Sequence, residues 1–104
     1  MRMLFKMKLD TEKSNRLAAE GKLGQTIGNI LEQTKPECVY FGEENGCRTA
    51  FMVVDLNGNH EMPKMTEPWF LAFNAHVEIK PVMTTDDLRK ADSDITKAAK
   101  TYWG

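Results

Sequence analysis

The stretch Cys38-Val39-Tyr40-Phe41-Gly42-Glu43-Glu44-Asn45-Gly46-Cys47-Arg48-Thr49-Ala50-Phe51-Met52-Val53-Val54 decides the fold. Asn45-Gly46 separates two runs rich in β-formers, and both residues readily take the positive φ that a two-residue type I′ turn demands. With these two at the centre of the turn, Glu44 faces Cys47, Tyr40 faces Phe51 and Cys38 faces Val53. Residues that face each other across an antiparallel pair share a side of the sheet. Cys38, Tyr40, Thr49, Phe51 and Val53 therefore fall on one face, and Val39, Phe41, Ala50, Met52 and Val54 on the other. Both faces of the hairpin are apolar. The same register holds Cys38 and Cys47 ~20 Å apart at the strand rise, beyond disulfide reach. It predicts two free thiols, small and buried or half-buried.

Upstream of the hairpin, a strand from about Met3 to Leu9 alternates cleanly, with Met3, Phe5, Met7 and Leu9 on one side and Arg2, Leu4, Lys6 and Lys8 on the other. Asp10 or Thr11 can cap the helix that follows. Leu23, Ile27, Ile30 and Leu31 give it an i, i+4, i+7, i+8 stripe, and Pro36 stops it. Gly21, Gly24 and Gly28 interrupt this helix, each at about 1 kcal/mol relative to alanine. They predict a break near Gly21 or a close approach of helix backbone to the sheet. Hairpin strands run from about Cys38 to Gly42 and from Arg48 to Leu56.

Downstream, Asn57-Gly58-Asn59 is a loop signal, and Met62, Met65, Trp69, Phe70 and Phe73 mark a second helical region. Pro63 and Pro68 predict short helical pieces there. A fourth strand, about Ala75 to Lys80, points Ala75, Val77 and Ile79 inward and His76, Glu78 and Lys80 outward. Thr84 with Asp87 reads as a capping box that opens a C-terminal helical tail, 83–104, in which Ile95, Ala99 and Tyr102 form a narrow apolar stripe. The order strand, helix, strand, tight turn, strand, helix, strand, tail is that of a split βαβ, ferredoxin-like α+β domain (βαββαβ) with an antiparallel sheet, spanning 1–104 as one unit.

Composition narrows the function classes. The chain has 104 residues, 14 Lys plus Arg against 15 Asp plus Glu, and a formal charge of -1, so no global field draws it to nucleic acid or anionic lipid. Arg2, Lys6 and Lys8 break up the first apolar stretch too often for a signal-peptide core, and no later run is long enough to span a bilayer. The expectation is a soluble cytoplasmic protein with no membrane partner.

A split βαβ domain packs both helices on one side of its sheet, which leaves the other side uncovered. Here that side carries Leu4, Tyr40, Phe51 and Val53, an association surface that a second copy would cover, sheet against sheet. In this respect the chain resembles the dimeric α+β-barrel superfamily. The run Glu67-Pro68-Trp69-Phe70-Leu71-Ala72-Phe73-Asn74, then Val77-Glu78 and Pro81-Val82-Met83-Thr84, is similar to small uncharacterised bacterial proteins within it. The resemblance implies a homodimer whose sheets pair into a barrel with a ligand cavity. Members include cofactor-independent monooxygenases, lactone isomerases, haem enzymes and proteins with no known activity, and no shared catalytic signature carries over.

His76 and Glu78 are the best candidate pair for chemistry. They project from one face of one strand ~7 Å apart, so an imidazole able to take a proton stands beside a carboxylate able to orient it. Lys6 on the neighbouring strand adds a positive charge, Tyr40 a hydrogen-bond donor, and Phe51 and Trp69 apolar walls of the expected pocket. The competing reading makes the charged residues a solvated face or an interface salt-bridge network. His60 and Glu61 are a poor metal motif, because no matching ligand follows at i+4. No metal and no cofactor is expected. A reading from another class treats Gly21-Lys22-Leu23-Gly24 as the GXXG loop of a KH RNA-binding module. Against it stand the apolar Leu23 and the slight acidity of the chain. The sequence thus points to a homodimer that binds a small organic molecule, with catalysis left open.

Overall fold

A computed structural model describes residues 1–104 as a four-stranded antiparallel sheet with five α-helices. The strands are β1 (Arg2–Lys8), β2 (Cys38–Glu44), β3 (Cys47–Asp55) and β4 (His76–Pro81); they lie in the order β2-β3-β1-β4. This is the ferredoxin-like arrangement, with the two central strands β1 and β3 flanked by the hairpin partner and the last strand. Asn45 and Gly46 take φ values of 53° and 79°, the pair that a type I′ turn requires. The register pairs Tyr40 with Phe51 and Cys38 with Val53.

Between β1 and β2 the chain forms α1 (Thr11–Ala19) and α2 (Leu23–Thr34). Asp10 caps α1 by accepting a hydrogen bond from the Lys13 N–H at 2.9 Å. Gly21, at φ 71°, makes the break between the helices. Gly24 and Gly28 lie inside α2 with open space where a Cβ would stand, so the break, and not a close backbone approach, is the structural use of this glycine segment.

Between β3 and β4 runs α3 (Met62–Phe73), which differs from the expected short pieces by being one continuous helix with Pro68 inside it. Pro63 sits in the first turn, where no intrahelical N–H bond is lost, and only Pro68 removes a backbone bond. Burial of Met65, Thr66, Trp69 and Phe73 along one face offsets that loss.

Helices and sheet enclose one core. Met3, Phe5 and Met7 of β1 meet Ala50, Met52 and Val54 of β3, and the helices contribute Ile30, Met65, Trp69 and Phe73. Trp69 and Phe73 are fully buried with ring centroids 5.6 Å apart. All of this lies on one side of the sheet.

The tail forms α4 (Thr85–Lys90) and α5 (Asp92–Tyr102). The expected capping box is present: the Asp87 N–H donates to Thr84 Oγ1 at 3.1 Å, and the Thr84 N–H donates to Asp87 Oδ2 at 3.0 Å. Every residue of α5 is exposed, including Ile95, Ala99 and Tyr102 of its apolar stripe. The tail stretches the molecule to 60 × 29 × 19 Å with a radius of gyration of 17.5 Å. A compact chain of this length has about 13 Å.

Candidate functional site

The residues on the open side of the sheet fall into transverse rows. The first is Lys80, Leu4, Val53, Cys38; the second is Glu78, Lys6, Phe51, Tyr40; the third is His76, Lys8, Thr49, Gly42. Four of the residues singled out from the sequence thus form one continuous line across all four strands, with His76 one row away. Alternation puts them on one face, and the register of β1 with β3 and β4 puts them in one row.

An ion cluster holds the centre of this face. Lys6 Nζ stands 2.7 Å from Glu78 Oε2 and 2.5 Å from Glu44 Oε2. Glu44 lies two rows from Lys6, so the second bridge passes over Thr49, which is buried although it belongs to the open face. Hydrogen bonding to Glu44 first, then to Glu78, raises the Lys6 ammonium above the ordinary lysine range. Hydrogen bonding to Lys6 in turn holds the Glu78 carboxyl below the ordinary carboxylate range. Lys6 is 23% exposed at its side chain and Glu78 43%. His76 Nε2 is 3.8 Å from Glu78 Oε1, beyond hydrogen-bond distance, and its side chain is 67% exposed.

Tyr40 is 71% exposed at the edge strand, and Leu4, Phe51 and Val53 are half-buried beside it. Between Leu4, Lys6, Phe51, Glu78 and Lys80 lies a recess of about 80 Å³. A cavity of about 150 Å³ is needed to take a benzene ring, so this recess alone cannot hold an organic ligand. In the single chain the open face is an array of groups without a lid.

Trp69 does not join this array. It is 0% exposed on the helix side, separated from His76 by the sheet itself. The interrupting prolines conceal the phase of α3, and its buried face contains Trp69. Of the two free thiols, Cys38 is exposed because β2 is an edge strand, contrary to the expectation of burial, and Cys47 is half-buried near Thr11. In Gly21-Lys22-Leu23-Gly24, the exposed Gly21 and Lys22 join α1 to α2, which begins at Leu23; Leu23 packs against the core and Gly24 is in the first turn of α2. His60 and Glu61 form a short 3₁₀ turn in which Glu61 Oε1 accepts the Asn57 N–H at 2.7 Å. No group of three or more His, Cys, Asp or Glu side chains is placed to hold a metal ion.

Two features escaped the sequence reading. Glu44 shares the parity of Tyr40, which placed it on the open face, but a bridge that skips a row has no local signal. Arg48, on the helix side, carries a charge with no acidic partner: its Nη1 donates to Ser14 Oγ at 2.9 Å and Asn15 Oδ1 at 2.7 Å, both neutral. Its cross-strand neighbour Glu43 accepts the Gly46 N–H instead.

The fold and the open face define a ferredoxin-like α+β domain with one uncovered, mixed apolar and charged sheet surface. No protein-family model and no curated protein matches this chain. Among solved structures it is similar to the de novo designed protein Ferredog-Diesel, at 9% identity and a TM-score of 0.46, over 78% of this chain and 85% of that one. No helix is long and apolar enough to cross a membrane.

Proposed function

We propose that this chain is a small-molecule-binding protein that works as a homodimer, its open sheet faces meeting to form the barrel of the dimeric α+β type. The observation that carries the reading is the surface left without cover. The chain exposes 7181 Å², about 1,300 Å² above the 5,900 Å² or so expected of a compact monomer of its mass. That excess exceeds the roughly 800 Å² which each partner contributes to a standard interface. Two uncovered elements contribute to it: the sheet face with Leu4, Tyr40, Phe51 and Val53, and the tail, of which every α5 residue is exposed. Helices as short as α4 and α5 are marginal in water unless they pack on something. A second copy offers a matching surface to both.

Sheet pairing would give the recess at Lys6 and Glu78 its second wall. It would also take an ion cluster out of water with its lysine already paired to both carboxylates, a smaller cost than burying those charges unpaired. Within such an enclosure His76 is the group placed to exchange a proton and Glu78 the group that orients it. Light scattering tests the dimer, and the sheet-face substitution Tyr40→Lys tests where it forms.

A further inference from the structure

On the helix side of the sheet, a cleft of about 230 Å³ opens between α2 and the hairpin end of the sheet. Its walls are Leu23 and Ile27 of α2, Leu9, Phe41, Ala50 and Trp69. Two groups there lack the partners their chemistry calls for. Trp69 is fully buried and its Nε1–H has no acceptor, the one buried side-chain polar atom in the chain left without a partner. Arg48, a solvent-exposed residue, lines the same cleft, held toward α1 by two neutral oxygens and forming no ion pair.

A guanidinium carries five N–H donors and is strongest toward a carboxylate, which it meets with two parallel bonds. Leaving it with neutral acceptors beside an apolar cleft makes sense when the anion arrives from outside. We propose that this cleft binds a small amphipathic carboxylate, its apolar body against Leu23, Ile27 and Phe41, over the buried Trp69, and its carboxylate at Arg48. The volume sets the size of the body. A cavity of about 150 Å³ accepts one benzene ring, so this one accommodates a single ring with a short acidic side chain. The site lies across the sheet from Lys6 and His76. It deepens the small-molecule reading and is independent of the dimer, which light scattering decides separately.

Trp69 reports on the cleft directly once the exposed Trp103 is replaced by phenylalanine. In the Trp103→Phe protein, titration with phenylacetate should change the Trp69 emission saturably, and the neutral phenylacetamide should bind more weakly. Arg48→Gln should weaken phenylacetate about tenfold, the contribution of one charge-assisted pair, and Arg48→Lys should restore part of it. Should Arg48→Gln fail to fold, because Ser14 and Asn15 lose their donor, Ile27→Phe fills part of the cleft with Arg48 in place, adds no second tryptophan signal, and should weaken or abolish the response. No saturable change at millimolar phenylacetate overturns the proposal. So does equal binding of acid and amide, or a response unchanged by both the arginine and the cleft-filling variants; in the last case a small molecule binds, but elsewhere.

Discussion

Lys6 and Glu78 stand directly opposite each other on β1 and β4, and their charged ends meet at 2.7 Å on the face of the sheet that no helix covers. Glu44 completes the cluster from the far edge strand, so one ammonium ties β4 through β1 to β2. The bridge reinforces the order of the strands from the outside, where the hydrophobic core does not reach.

The cluster predicts a pH dependence of stability. Glu78 is held below the ordinary glutamate value of 4.5, so its contribution is complete above that value and is lost as pH falls through the lowered one. Lys6 is raised above 10.5, so its contribution is complete below that value and is lost as pH rises through the raised one. Thermal melts should show both losses in the native chain. In Lys6→Met the plateau should drop and the Glu78 share of the acid loss should disappear; equal acid sensitivity in both proteins would contradict the cluster.

Two glycines in one short segment should respond in opposite senses to alanine. Gly21→Ala forces a side chain into φ 71° and should destabilise by about 1–2 kcal/mol. Gly24→Ala sits in the helix with open space around it and should stabilise by about 0.5–1 kcal/mol. Denaturant midpoints separate the two. A loss from Gly24→Ala would mean the helix description of this segment is wrong.

In the tail, the two hydrogen bonds between Thr84 and Asp87 set the start of α4. Thr84→Ala should cost that helix about 1 kcal/mol. Because the tail does not join the core, hydrogen exchange should quicken in 85–102 and stay unchanged in the sheet. Equal acceleration everywhere would show the tail to be part of the cooperative unit.

Much of this architecture is legible in the residues because its signals are local. Asn45-Gly46 specifies the turn, the alternation of β1 and β4 specifies their faces, and Thr84-x-x-Asp87 specifies a cap. From these follow the pairing of Tyr40 with Phe51 and the shared face of Lys6, Phe51, Tyr40 and Glu78; that Lys6 stands opposite both Phe51 and Glu78 is set by the register of β1 with β3 and β4. What stayed hidden depends on tertiary packing. Burial of Trp69 and Phe73 carries α3 through Pro68, and without knowing that helix to be continuous the side on which Trp69 falls cannot be phased. The cleft beside Arg48 arises where α2, α3 and the hairpin approach one another, and no stretch of sequence contains it. Cys38 follows the predicted parity, yet it is exposed because the strand order puts β2 at an edge.

The central claim is that the uncovered sheet face is completed by a second copy, and multi-angle light scattering at micromolar concentration tests it most directly. The account predicts a species of twice the 11.8 kDa chain mass. It also predicts single-chain mass for Tyr40→Lys with circular dichroism unchanged, because Tyr40 is already exposed in the lone chain and a lysine there harms only the interface. A native protein of single-chain mass that keeps its fold across the same concentrations would contradict it.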